Sequence, residues 1–61
     1  MSLSESVDGI MSEMVALKQI LRRTAPAHRL TDADKERVGK ALARCEVLLK
    51  SIKEEAGVQL P

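Results

Sequence analysis

Residues 31–56 read TDADKERVGKALARCEVLLKSIKEEA, and within them Val38, Leu42, Cys45, Leu49, Ile52 and Ala56 follow one another at steps of four, three, four, three and four. Steps of that kind put all six side chains on one stripe of one helix, a seven-residue repeat that packs against other helices. Thr31 with Asp34 three residues later is an acidic variant of the capping box, and Asp32 adds negative charge where the helix dipole is positive. Gly57 is suited to the left-handed cap at the far end. The spacing predicts a helix over 32–56.

Upstream, the ring of Pro26 disfavours the helical conformation at Ala25 and removes a backbone donor, so a preceding helix must stop near Thr24. Ser2 and Glu5 have capping-box spacing, and Leu3, Val7, Ile10, Met14, Leu17 and Leu21 repeat as the later stripe does, which predicts a first helix over 3–24. Residues 25–30 make a connector of ordinary length for antiparallel helices. In heptad terms Val7, Met14, Leu21, Leu42 and Leu49 occupy a, while Ile10, Leu17, Val38, Cys45 and Ile52 occupy d. Gly9 lies off the stripe and is expected to be a tolerated exposed glycine, costing up to about 1 kcal/mol relative to alanine.

The flanking positions carry the argument one level up. In a two-stranded coil they are usually charged, yet Met11 and Ile20 flank the first stripe and Ala41 and Leu48 the second. Each helix is thus expected to touch two neighbours, and two hairpins supply four helices. The expected fold is all-α: an antiparallel helical hairpin that dimerises into a four-helix bundle, one domain over 1–61 with residues 1–2 and 58–61 frayed.

Size points the same way. A 61-residue chain buries too little surface to be comfortable alone, and small domains usually add disulfides, a metal or a partner. Cys45 is the only cysteine and His28 the only histidine, so neither a disulfide within the chain nor a structural zinc site is expected. There are no aromatic residues, and the core must be aliphatic.

Ten basic and nine acidic side chains leave a net charge of +1, which gives no global pull toward nucleic acid or membrane. The charge is unevenly placed. Residues 1–16 with 46–61, the open end of the hairpin, total −4, and residues 17–45, the loop end, total +5. Such a bipolar hairpin favours a head-to-tail homodimer. The apolar runs fall short of a membrane span, no signal-peptide pattern opens the chain, and a free thiol favours the reducing cytoplasm.

Leu30, the run Asp32-Ala33-Asp34, Leu42 and Cys45 resemble the loop and second helix of the Rop family of small plasmid-copy regulators. The resemblance implies two hairpins in a four-helix bundle that binds a pair of RNA loops through an outer face of the first helix. That face includes an aromatic residue in the family, and this sequence has none.

Side chains that could carry chemistry are few. Cys45, between Leu42 and Leu49 on the stripe, reads as a packed core thiol. His28 reads as a solvated loop residue, and nothing joins a nucleophile, a base and an orienting acid. No catalytic residue, metal or cofactor is expected, and no pocket, since a small bundle fills its interior. The reading is a non-enzymatic oligomerisation or protein-interaction module acting as an adaptor or regulator. Val7, Ile10, Met14, Leu17, Leu21, Val38, Leu42, Cys45, Leu49 and Ile52 form its seam, and Met11, Val15 and Val47 are docking points for a helical segment of another protein. The alternative is a nucleic-acid-binding regulator that holds phosphates with Arg22, Arg23, Arg29, Arg37, Lys40 and Arg44 near the loop.

Overall fold

The computed structural model describes residues 2–58. Two helices, α1 (Leu3–Thr24) and α2 (Asp32–Ala56), pack along one another as an antiparallel hairpin. Both begin on the capping boxes expected of them. Ser2 Oγ accepts from the Glu5 amide at 3.1 Å while the Ser2 amide donates to the Glu5 carboxylate, and Thr31 and Asp34 repeat the exchange. Each box satisfies two amides that the helix itself leaves without acceptors.

The ends are equally local in origin. Before Pro26, Ala25 is extended and α1 stops; the Ala25–Pro26 peptide is cis, and His28 takes a left-handed φ of 54° with its amide donating to the Thr24 carbonyl. Gly57 closes α2 at φ 67°, and the amides of Gly57 and Val58 both donate to the Lys53 carbonyl. A side chain at that left-handed position would be strained, which is why glycine serves there. Of the residues expected to fray, Ser2 and Val58 lie outside the helices but are held by these cap hydrogen bonds, and residues 1 and 59–61 lie outside the described ones.

Three polar pairs set the register of the hairpin. Ser6 faces Ser51, Glu13 faces Arg44 and Arg23 faces Asp34, and in each pair the two residue numbers add to 57. One step up α1 is therefore one step down α2 along the whole length.

The seam between the helices differs from a plain a/d stripe. Its buried side chains are Ser6, Asp34, Ala41, Cys45 and Leu48, flanked by the half-buried Ile10, Glu13, Leu17, Ile20, Val38 and Ile52. These are d and g positions. The hairpin has turned each helix by about one flank, so that d stays inside, g joins it and a is left out. Cys45 is a packed thiol, as its stripe position implies.

Gly9 is not the exposed glycine that its place off the stripe suggested. It is half-buried, and a Cβ built on it would stand 2.8 Å from Leu48 Cδ1. The missing side chain lets Leu48 lie directly against α1. This close approach offsets the cost of a glycine inside a helix.

Candidate functional site

Because the helices are antiparallel and share a d/g seam, their a positions fall together on one side of the hairpin and their c positions on the other. The two sides have opposite character.

On the first side stand Val7, Met14, Leu21, Leu42 and Leu49, all exposed, with Leu3 and Met11 beside them. Met11 is 61% exposed and Leu49 51%. Five of the ten expected seam residues thus lie inside the hairpin and five outside it. Val15 and Val47, read as docking points, are also exposed but lie farther round their helices than the a positions. Among the described residues the only buried apolar side chains are Ala41, Cys45 and Leu48, so more large apolar groups face outward than inward. Scattered exposed leucines need no explanation, but a continuous stripe along both helices does.

On the second side lie the three register pairs and an open groove of roughly 570 Å³. The Glu13–Arg44 and Arg23–Asp34 ion pairs bound the groove, and Ala16, Leu17, Ile20 and Ala41 make an apolar floor. Arg37 and Lys40 stand along the wall formed by α2. This groove departs from the expectation of no pocket, because the interhelical surface is left open on the c side. Of the six basic residues read as phosphate contacts, the fold brings Arg23, Arg37, Lys40 and Arg44 around it, and leaves Arg22 and Arg29 out. Three of the four are already engaged: Arg23 with Asp34, Arg44 with Glu13 at 3.4 Å and Lys40 with Glu36 at 3.3 Å. Arg37 is in no ion pair among the described residues.

Asp34 is the most constrained ionisable group. It is 3% exposed, its carboxylate accepts from the Thr31 amide at 3.1 Å, and it also accepts from the Arg23 guanidinium. The Thr31 amide chiefly, then the Thr31 side chain and Arg23, hold its pKa below the ordinary value of 3.8 against the opposing effect of desolvation. A lowered native pKa means that ionisation stabilises the fold. That contribution is whole above about pH 4 and is lost as pH falls through the lowered native value. Thermal melts read by circular dichroism should therefore show a drop below pH 4 that is much reduced in an Asp34→Asn variant. The same variant should melt lower than the parent at pH 7, because one carboxylate joins the α2 cap to the last turn of α1. An unchanged melting temperature at pH 7 would show that Asp34 does not tie the two.

Ser6, Glu13, Asp34 and Gly9 are seam residues that an apolar pattern does not reveal, Asp34 being legible only as a cap. For Ser6 and Glu13 the available signal was spacing, since they and Ile20 stand seven apart on one line of α1. Among the described residues no helix is long and apolar enough to cross a membrane, and no three His, Cys, Asp or Glu side chains come together as a metal site would need.

The site is thus an antiparallel helical hairpin with one apolar face and one basic groove. Comparison with known proteins finds no matching family model, no similar curated protein and no similar solved structure.

Proposed function

We propose that this chain is a non-enzymatic self-association module that works as a cytoplasmic adaptor or regulator, its hairpins joining through their apolar faces into a head-to-tail homodimeric four-helix bundle. The observation that carries this reading is the exposed line Val7, Met14, Leu21, Leu42 and Leu49, which the hairpin leaves uncovered on one face.

Two areas support it. A monomer of 6.7 kDa ordinarily exposes about 3,900 Å², whereas this hairpin exposes 4819 Å², an excess of roughly 900 Å². The outline of the whole hairpin, 39 Å by 19 Å, bounds the face at roughly 740 Å². Both figures are near the ~800 Å² per partner of a stable interface. The apolar seam does not choose between parallel and head-to-tail stacking, but charge does. The −4 open end and the +5 loop end repel their own kind and attract each other, so head-to-tail packing brings Arg22 of one copy toward Asp8 and Glu5 of the next. Single exposed pairs are worth under about 1 kcal/mol, yet several together decide between packings of similar energy.

Cross-linking tests association and orientation at once. In a Cys45→Ala background, chains carrying Ala27→Cys at the loop are mixed with chains carrying Ser4→Cys at the open end, and a short bis-maleimide is added. Efficient Ala27→Cys to Ser4→Cys coupling is expected. Loop-to-loop coupling would contradict the head-to-tail order, and no coupling of either kind would remove the dimer.

A further inference from the structure

The groove on the opposite side of the hairpin has a composition that association through the apolar face does not use. We propose that it is a docking site for an acidic amphipathic helix of a partner protein. Its floor of Ala16, Ile20 and Ala41 is apolar and made partly of small side chains, so a third helix can approach both α1 and α2 closely. Its rim carries Arg23, Arg37, Lys40 and Arg44, of which Asp34, Glu36 and Glu13 pair with all but Arg37, so the rim keeps a net positive charge centred on Arg37. The two ion pairs that bound it lie from residue 13 to residue 23 of α1, about 15 Å apart at 1.5 Å per residue, which is about three helical turns. Arg37, Lys40 and Arg44 are spaced three and four along α2, the interval at which carboxylates recur on one flank of a partner helix.

Both features have to be explained, and this is what favours a helix over a nucleic acid. A phosphate backbone would meet the cations but leave the apolar floor covered by nothing, and the groove has no aromatic ring on which a base could stack. Three of its four cations are already ion-paired, which leaves Arg37 as the principal free anchor: enough for one glutamate on a helix flank and too little for the continuous charge of a phosphate backbone. An amphipathic helix uses the floor for its apolar stripe and the rim for its acidic flanks. The groove belongs to one hairpin alone, so this proposal does not depend on dimerisation.

The probe is a fluorescein-labelled helical peptide of about three turns, with leucines at heptad spacing on one stripe and glutamates on both flanks. Fluorescence anisotropy with the intact protein should show saturable binding, weakened about tenfold or more by Arg37→Glu, a change at an exposed residue that is in no ion pair among the described residues. The Met14→Glu variant, altered on the other face, should bind as the parent does even if it no longer dimerises, so that failure of one reading leaves the other standing. Absence of binding, equal binding of a peptide with glutamine for glutamate, or insensitivity to Arg37→Glu would each overturn the proposal. A poly-uridine oligonucleotide that binds more tightly than the peptide and is lost with Arg37→Glu would overturn it in favour of phosphate recognition.

Discussion

Leu48→Ala should unfold much of this protein. Leu48 is 2% exposed and lies against Gly9, which has no side chain able to move into the space left behind. Truncating a fully buried leucine costs about 2–5 kcal/mol, and the upper part of that range applies where the surroundings cannot collapse. At ~0.05–0.15 kcal/mol of stability per residue, a chain of this size has only about 3–9 kcal/mol in all. Circular dichroism should show a fall in melting temperature of ten degrees or more, on the order expected for such a loss in a small domain. The neighbouring Leu49→Ala is the informative contrast. Leu49 is half exposed on the isolated hairpin, so its loss should be felt only where a second copy covers it. Its cost should grow as protein concentration rises through the association range, whereas that of Leu48→Ala should be present at every concentration. Equal effects from the two would mean that the seam is not the d/g stripe.

Met14→Glu should abolish association while leaving the hairpin helical. Met14 is 38% exposed near the middle of α1, on the apolar face. Head-to-tail stacking is a half-turn that exchanges the ends of the hairpin, so the middle of the face meets the middle of its copy. A glutamate there enters an apolar interface unpaired and faces its own counterpart, and an unpaired buried charge costs several kcal/mol or forces its own protonation. In the separated hairpin the same side chain is solvated and costs little. Size-exclusion chromatography with light scattering should return the monomer mass, with a far-ultraviolet spectrum still helical at high concentration. A variant that stays dimeric would place the interface elsewhere.

Much of the fold is legible in the sequence because its determinants are local. Ser2 with Glu5, Thr31 with Asp34, Pro26 and Gly57 each act within one turn of chain, and the helix ends fall where they put them. The rotation of the helices about their own axes is another matter. A heptad marks d as central and leaves open whether a or g accompanies it inside the hairpin. Here the choice goes with polar pairs: Ser6–Ser51, Glu13–Arg44 and Arg23–Asp34 all lie on the g and c side, and an apolar pattern is blind to them. The role of Gly9 is hidden for the same reason, since it appears only when Leu48, 39 positions away in the chain, is brought over it. The basic cluster was half legible. Helical spacing joins Arg37, Lys40 and Arg44, but only the antiparallel register brings Arg23 to them and leaves Arg22 and Arg29 outside the groove.

Sedimentation equilibrium of the unmodified chain tests most directly whether the apolar face exists to be covered by a second copy. At micromolar concentration the mass should be twice that of the 6.7 kDa chain, shifting toward the single chain on dilution, with a melting temperature that rises with concentration. A single-chain mass at every concentration, with a cooperative melt that does not move, would contradict the account.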